Sequence, residues 1–335
     1  RPTPMGSKTM KTFDMPQERL LDVDNVQVHF PLREGLVKAV DGVSFDIRRG
    51  ETFGIVGESG CGKSTLARTL LRLETPNSGR VTFEGQDIFT PQALSDKALR
   101  RRIQVVFQDP FAALSPRMTI YDVLTEPLKI HEGTLDKARW PERVRELLER
   151  VGLRPEFANR FPHEFSGGQL QRIGIARALV LGPELIILDE PVSALDVSIQ
   201  AQVVNLLEEV QEEFGVAYMC ISHDLSIVRH ISDRIGVMYL GEMVEMGDCE
   251  DVYETPAHPY TKALLSAEPE INIGGEKRQQ VLLKGEVPSP VNPPSGCRFR
   301  TRCWKAQDKC REVPPTTRVG DADRVVKCHF PLTND

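Results

Sequence analysis

The segment Gly57-Glu58-Ser59-Gly60-Cys61-Gly62-Lys63-Ser64-Thr65 decides the fold of this protein. It matches the pattern G-x-x-x-x-G-K-[S/T]; the sequence predicts a short apolar strand before it and a helix after it. Glycines in such a loop let backbone N–H groups point at phosphate oxygens, and the start of the helix adds a positive field. Lys63 then reaches the β- and γ-phosphates, and the hydroxyl of Ser64 binds Mg²⁺. We therefore predict a site for a nucleoside triphosphate.

A second segment, Leu185-Ile186-Ile187-Leu188-Asp189-Glu190, consists of four apolar residues followed by two carboxylates. A buried strand that delivers acids at its carboxyl end places them where open α/β sheets bind ligands. We expect Asp189 to coordinate Mg²⁺, directly or through water, and Glu190 to act as general base for the attacking water. Taken alone, the segment fits a strand that meets a turn equally well, and the phosphate loop favours the catalytic interpretation.

Three further positions extend this predicted site. Ser166-Gly167-Gly168-Gln169 opens a predicted helix and presents N–H groups and a hydroxyl to an anion, which has a use if another chain holds the nucleotide. His223 follows a predicted strand at 216–221 and is suited to contact a γ-phosphate, although a lone histidine there is more often part of a helix start. Gln108 follows a predicted strand and is expected to add a side-chain oxygen to the metal.

Strands alternate with helices along most of the chain, which indicates an α/β fold with a mostly parallel sheet covered on both faces. Residues 1–20 are polar and are expected to form a mobile lead-in. The main domain is predicted at 21–269, with a largely helical and polar part at about 94–182. Nine of the 24 prolines lie between 256 and 315, so we predict a linker and a small tail at 270–335.

Composition limits the classes of function. The 335 residues include 42 Lys and Arg against 48 Asp and Glu, a formal charge of -6 that is poorly suited to broad nucleic-acid binding. No charge-free apolar stretch of membrane-spanning length occurs, and residues 1–11 lack the apolar region of a signal peptide. We expect a protein of the cytosol or one that docks on a membrane from its cytosolic side.

Four cysteines crowd into the predicted tail: Cys297, Cys303, Cys310 and Cys328. They contain no C-x₂-C pair, which argues against a ribbon or finger zinc site. Four thiolates suit a [4Fe–4S] cluster or a looser zinc site, and free or disulfide-paired cysteines are the plainer alternative. Six cationic residues between 297 and 311 favour an anionic centre. Cys61, by contrast, is expected to be a packing residue of the phosphate loop.

Together these motifs resemble the ATP-binding cassette family, over about residues 21–269. The resemblance assigns Walker A to 57–65, the Q-loop to Gln108, the signature to 165–169, Walker B to 185–190, the D-loop to 193–196 and the H-loop to His223. One departure is Phe165, where the family usually has leucine. The family fold implied is a P-loop NTPase cassette with an antiparallel β subdomain, a helical subdomain and, here, a small cysteine-rich C-terminal tail.

The same resemblance implies a role for each residue of the site. Catalysis is assigned to Lys63, Gln108, Glu190 and His223, and Mg²⁺ to Ser64, Gln108 and Asp189. ATP is expected to contact residues 57–65 and, from a second subunit, 166–169. The family stacks an aromatic residue on adenine, for which Phe30 is the candidate, with plain core packing as the alternative.

A narrower resemblance rests on residues 256–267, on Pro288-Ser289-Pro290 and on the cysteine-bearing tail. These are similar to the ATP-binding subunits of dipeptide, oligopeptide and nickel importers, most of all to the dipeptide type. This implies a peripheral ATPase on the cytoplasmic face of the inner membrane, docked on two permease subunits and served by an external peptide-binding protein. It also implies a second ATPase subunit, in a heterodimer rather than a homodimer, and an iron–sulfur cluster in some members.

Three alternatives remain at this point: an importer ATPase for nickel or another small solute, a cassette ATPase that acts on DNA or ribosomes, and a regulatory module with an inactive site. The second class typically carries long coiled coils or tandem cassettes, and neither is present in the sequence. Glu190 and His223 argue against the third.

Overall fold

The computed structural model describes residues 18–33, 35–91, 95–267, 281, 283, 285–320 and 324–332. Its strands are β1 (Arg19–Leu32), β2 (Gly35–Arg48), β3 (Thr52–Val56), β4 (Ser78–Phe83), β5 (Gln86–Asp87), β6 (Ile103–Val106), β7 (Leu185–Asp189), β8 (Ala217–Ile221), β9 (Arg234–Tyr239), β10 (Glu242–Asp248), β11 (Thr316–Arg318) and β12 (Val325–Lys327). Its α-helices are α1 (Lys63–Leu70), α2 (Asp96–Arg102), α3 (Pro110–Ala113), α4 (Ile120–Ile130), α5 (Trp140–Arg150), α6 (Gly167–Leu179), α7 (Val197–Phe214), α8 (Leu225–Ile231), α9 (Cys249–Glu254) and α10 (Pro259–Ser266).

The larger sheet has eight strands in the order β11-β12-β10-β9-β3-β8-β7-β6. The strands from β9 to β6 run parallel, whereas β10, β12 and β11 add an antiparallel edge. Every residue of the central strand β3 is buried, as are the four apolar residues that begin β7. Burial on both faces explains the continuous apolar runs in these strands and confirms the predicted mostly parallel sheet.

The smaller sheet is antiparallel, in the order β2-β1-β4-β5. Alternating side chains of β1 and β2, among them Val23, Val28, Val43, Phe45 and Ile47, form its core. The sequence predicted only 21–30 and 43–47 as strands, and the two strands are longer because they pair along almost their whole length, through several bulges. Residues 1–17 of the predicted lead-in lie outside the described residues, and β1 begins at Arg19.

Helices α2 to α6 fill the part of the chain that was predicted to be helical. The amphipathic pattern predicted at 139–151 is confirmed by α5, which buries Val144, Leu147 and Leu148 on one face. Where α2 ends, Arg102 pairs with Glu84 and Glu184, and Arg49 pairs with the same two carboxylates. This four-residue network joins both sheets to the start of the helical part.

The C-terminal tail is built into the main sheet. Strand β12 pairs with β10, and the buried Arg324 beside it donates to Oε1 of the buried Glu245 at 3.0 and 2.5 Å. Glu245 lies in β10 and also accepts the N–H groups of Ala257 and His258, so it joins β10 to the segment that precedes α10. The proline-rich composition of residues 256–315 gave no indication of this pairing, because the partners lie 79 positions apart.

In the described part of the chain, no helix combines the length and the apolar character that crossing a bilayer requires.

Replacing Arg324 with glutamine leaves the buried Glu245 carboxylate without its counter-charge. Removing one partner of a buried ion pair costs about 3 kcal/mol, which in a protein of this size lowers Tm by about 4 °C. Differential scanning calorimetry measures the change. The control is Arg300→Gln, because among the described residues the side chain of Arg300 donates to Ser295 alone, at an exposed position. Equal Tm values for the Arg324 variant and the unmodified protein would contradict the expectation.

Candidate nucleotide site

The loop 57–65 connects the carboxyl end of β3 to α1, as the sequence predicted. Gly62 is the residue before α1 and has φ of 111°, and a Cβ atom there would lie 2.0 Å from the carbonyl oxygen of Ala39. At Gly57 a Cβ atom would lie 2.2 Å from the carbonyl oxygen of Met238. Two of the pattern's glycines are therefore required because the loop backbone passes against β2 and β9.

The side chain of Lys63 lies inside this loop. Its Nζ donates to the carbonyl oxygens of Gly57 and Glu58 at 2.7 and 3.1 Å, and it lies 3.8 Å from Sγ of Cys61. Ser64, Ser59 and Gly60 are exposed, so the open side of the loop presents a hydroxyl and backbone groups to solvent. Cys61 is buried, and burial raises the pKa of its thiol, which agrees with a packing residue.

Two carboxylates lie at the end of β7. Burial raises the pKa of Asp189, and the neighbouring charge of Glu190 raises it further against the opposing effect of Lys63. Glu190 has φ of 49°, a left-handed backbone that a non-glycine residue adopts at a cost of about 1–3 kcal/mol. Its N–H donates to the carbonyl oxygen of Ile221, which fixes this conformation against β8. The site therefore holds two repelling acids on a strained turn.

Two side chains from distant segments, Gln108 and His223, contact the same carboxylate oxygen of Glu190. Nε2 of Gln108 donates to Oε2 of Glu190 at 2.8 Å, and Nδ1 of His223 lies 3.2 Å from the same oxygen. They are brought together because β6, β7 and β8 are adjacent parallel strands, and the three residues follow their carboxyl ends. The arrangement joins a carboxylate, an amide and an imidazole at the sheet edge that also carries the phosphate loop.

Ser166-Gly167-Gly168-Gln169 begins α6, in the helical part of the chain. Oγ of Ser166 accepts the N–H of Gln169 at 3.4 Å, and Oε1 of Gln169 accepts the N–H of Ser166 at 3.0 Å, a reciprocal cap. Helix α6 packs on α3, α4, α5 and α7 and on the edge strand β6, whereas α1 packs on β2 and β7. Within one chain the two helix starts thus belong to different parts of the fold.

Phe30 lies near the end of β1, opposite Val37 of β2, and packs partly buried against the core of the smaller sheet. Its neighbour His29 places Nε2 2.9 Å from Oδ1 of Asp41. Contact with adenine therefore remains a prediction for Phe30, beside the core contact that the structure describes.

Sequence reasoning missed one set of contacts with the phosphate loop. Arg302 of the tail forms a two-pronged ion pair with Glu58, and the hydroxyl of Tyr260 in α10 accepts the N–H of Glu58 at 2.9 Å. Residues 58 and 302 lie 244 positions apart, and no spacing pattern connects them. The only available signal was the excess of cations between 297 and 311.

The four tail cysteines are all free, and they line a single narrow cavity with Phe299 and Phe330. Burial raises the pKa of three of these thiols, that of Cys297 to about 12, and so favours the neutral thiol over the thiolate that a metal requires. In the portion of the chain that the structure describes, no group of three or more His, Cys, Asp or Glu is arranged to hold a metal ion.

The fold and the site together define an ATP-binding cassette ATPase. Residues 40–193 match the ABC transporter family model, and residues 244–310 match the oligopeptide/dipeptide transporter C-terminal region. The chain belongs to the ABC transporter family, among its oligopeptide and dipeptide transport ATP-binding proteins.

Curated relatives match along nearly the whole chain. The oligopeptide transport ATP-binding protein AppF of Bacillus subtilis is 56% identical, over 94% of this chain and 98% of the relative. OppF of Salmonella typhimurium is 50% identical, over 92% and 95%, and the dipeptide transport protein DppF of Haemophilus influenzae is 49% identical, over 92% and 96%.

Solved structures show the same fold. CbiO1 of Clostridium perfringens, part of the cbiONQ transporter complex, aligns with a TM-score of 0.63 at 30% identity, over 71% of this chain and 92% of that one. The cassette MJ0796, in a post-hydrolysis dimer bound to ADP and Pi, aligns with a TM-score of 0.60 at 30% identity, over 68% and 98%.

The prediction of a [4Fe–4S] cluster in the tail is wrong. The four cysteines provide no metal-binding arrangement, and the names of the relatives mention no such cluster. Zinc, the alternative, would need the same four cysteines as ligands, so the same finding applies to it. The cations that suggested an anionic centre have other partners: Arg298 pairs with Asp41 and Glu242, and Arg302 pairs with Glu58.

Replacing Asp189 with asparagine should stabilise the protein in the absence of nucleotide and metal. The fold raises the pKa of Asp189, so its charged form opposes folding at pH values above that pKa and no longer does so once the group is protonated. We expect Tm to rise by about 1–2 °C at pH 7.5, which corresponds to about 1 kcal/mol in a protein of this size, and by less at pH 4.5. Fluorimetric melting curves measure both values against the unmodified protein.

The matched control is Asp196→Asn, because Asp196 is exposed and its side chain makes no capping hydrogen bond at the start of α7. Its Tm should change little at either pH. A fall in Tm for the Asp189 variant at pH 7.5, or an equal rise at both pH values, would contradict the electrostatic account.

Proposed function

We propose that this protein is the ATP-hydrolysing subunit of an importer that takes up dipeptides or oligopeptides. The proposal of ATP hydrolysis rests on one observation: Gln108 and His223 contact Glu190 at the sheet edge that bears the phosphate loop. The substrate class is supported by the match to the peptide-transporter C-terminal region and by relatives named for peptide transport. Those names favour peptides over nickel.

The proposed ATP site uses residues 57–65. Lys63 would turn from the two carbonyl oxygens that it now contacts toward the β- and γ-phosphates, and backbone N–H groups of the loop would hold the remaining oxygens. The hydroxyl of Ser64, the side-chain oxygen of Gln108 and the carboxylate of Asp189 form a set of hard oxygen donors that fits Mg²⁺. Bound there, Mg²⁺ would neutralise phosphate charge. Phe30 is the proposed adenine contact.

Hydrolysis is proposed to depend on Glu190. Its carboxylate would accept the proton of the attacking water, and His223 would hold the γ-phosphate and orient Glu190 through the contact at 3.2 Å. The hydrogen bond of Gln108 to Glu190 would couple the state of this carboxylate to the position of the helical part. The catalysis consists of positioning and electrostatics and needs no covalent intermediate.

Two chains are proposed to enclose each ATP. The start of α6, Ser166–Gln169, would face the phosphate loop of a second cassette, since α6 and α1 belong to different parts of one chain. The dimer of the cassette MJ0796 supports such an assembly. A different ATPase subunit is the proposed partner, so that the importer contains a heterodimer.

The assembly is proposed to dock on two permease subunits at the cytoplasmic face of the membrane, with an external peptide-binding protein that delivers the substrate. A cavity of about 220 Å³ opens beside Gln108. Most of its lining is apolar and includes Phe107 and Ile130, both about half exposed, and Gln104, His131, Gln171 and Arg177 also line it. A cytoplasmic segment of a permease subunit is its proposed occupant. In this scheme residues 21–269 form the cassette and 270–335 the tail.

Reconstitution in proteoliposomes tests the transport function. With its permease subunits, a second ATPase subunit and the peptide-binding protein, we expect peptide to accelerate ATP hydrolysis and to accumulate inside the vesicles. Nickel ions serve as the matched alternative substrate. Stimulation by nickel without stimulation by peptides would contradict the assignment of peptides.

Replacing Glu190 with glutamine keeps the shape of the side chain but removes the base. We expect ATP binding to persist while turnover falls about 100-fold or more, as the loss of general-base catalysis predicts. Lys63→Ala is the contrasting variant, which should lose nucleotide binding itself. Calorimetry and a phosphate-release assay measure the two effects, and unchanged turnover in the Glu190 variant would exclude its role as base.

A further inference from the structure

Glu58 is the only acidic residue in the phosphate loop 57–65. Positive charge in a loop that binds a triphosphate raises the affinity for it, and negative charge lowers that affinity. The effect is strong because the two partners are close and partly shielded from water. A free carboxylate at this position would therefore weaken binding of the nucleotide. The structure provides a specific counter-charge for it.

The counter-charge is Arg302, which lies in the tail. Its Nη1 donates to Oε2 of Glu58 at 2.7 Å and its Nη2 donates to Oε1 at 3.0 Å, the parallel two-pronged geometry that arginine forms with carboxylates. The side chain of Arg302 is only 7% exposed, and that of Glu58 is 26% exposed. This pair is thus largely shielded from solvent. It differs from exposed ion pairs on a protein surface, which contribute little to stability.

The backbone of Glu58 is held as firmly as its side chain. Its N–H donates to the hydroxyl of Tyr260, and its carbonyl oxygen accepts from Nζ of Lys63. Tyr260 is fully buried and packs on Tyr239 and on Phe299 of the tail, with ring centroids 4.6 and 5.4 Å away. Glu58 therefore links the tail to the lysine of the phosphate loop through a single residue.

A second tail arginine also supports the phosphate loop. Arg298 is buried, pairs with Asp41 and Glu242, and donates to the carbonyl oxygen of Leu240. The next residue, Gly241, donates its N–H to the carbonyl oxygen of Cys61 in the phosphate loop at 2.8 Å. The tail segment 298–302 thus supports the loop at both Glu58 and, through residues 240–241, Cys61.

We propose that Arg302 is a positioning residue for nucleotide binding, which neutralises and orients Glu58 and so makes ATP affinity depend on the tail. The inference rests on the proposed function, since it requires that residues 57–65 bind ATP. It assigns to the tail an effect on the nucleotide site of its own chain. Arg302 also donates from Nη1 to the hydroxyl of Tyr239 at 3.4 Å, and its proposed effect on ATP is exerted through Glu58.

The experiment compares variants of the full chain by calorimetric titration with Mg²⁺-ATP and by steady-state hydrolysis. For Arg302→Gln we expect Kd and KM for ATP to rise about tenfold, the loss of about one charge-assisted hydrogen bond, with kcat at saturating ATP within about threefold of the original. Arg302→Lys keeps the charge but not the two-pronged geometry and should raise Kd about threefold. Adding Glu58→Gln to Arg302→Gln should recover most of the lost affinity, because the unpaired carboxylate is gone.

The matched control is Arg324→Gln, which also removes a buried tail arginine from its carboxylate, but one that lies outside the phosphate loop. It should lower Tm and leave ATP affinity unchanged. Unchanged affinity in both Arg302 variants, or an equal loss in the Arg302→Gln and Arg324→Gln variants, would overturn the proposal. If Arg302→Gln does not fold, the Arg302→Lys titration decides alone. Failure of the unmodified protein to bind ATP would instead refute the proposed function.

Discussion

The parallel pairing of β3 with β8 and of β8 with β7 is the constraint on which the rest of the structure depends. Parallel strands end at the same edge of a sheet, so every residue that follows such a strand is delivered to one side of the molecule. The phosphate loop, Glu190 and His223 follow these three strands, and Gln108 follows β6 beside them. The apolar side chains that fill both faces of the sheet prevent the register from slipping, and so they also fix the distances at the site.

Electrostatic compensation is the second organising feature. The cassette buries or half-buries several carboxylates, among them Asp41, Glu58 and Glu245, and the tail supplies the arginines that pair with them. A buried carboxylate without a partner would be costly, so the tail and the cassette are bound to one another by charge as well as by β10 and β12. The tail is therefore part of the cassette's architecture. Its arginines have the geometry to influence the loop that binds phosphate.

The cysteine-rich segment illustrates how composition can mislead. Cations close to four cysteines in sequence suggested a negatively charged metal centre, yet Arg298 and Arg302 point to carboxylates contributed by residues more than 50 positions away. The thiols instead line a narrow apolar cavity beside Phe299, where burial raises the pKa of Cys297, Cys303 and Cys328 and so favours their neutral form. The sequence lists which charges are available, whereas the partner of each charge depends on the fold.

The sequence by itself determined the local features: the phosphate loop, the apolar strand that ends in Asp189 and Glu190, the amphipathic helix α5 and the alternation of strands and helices. These follow from short-range patterns, because glycine positions, apolar periodicity and strand termini are properties of neighbouring residues. Only the tertiary structure decided that Gln108 and His223 share one oxygen of Glu190, that β12 joins the main sheet, and that Arg302 reaches Glu58. Such contacts join residues tens to hundreds of positions apart. They are selected by the packing of the whole chain, which no local pattern records.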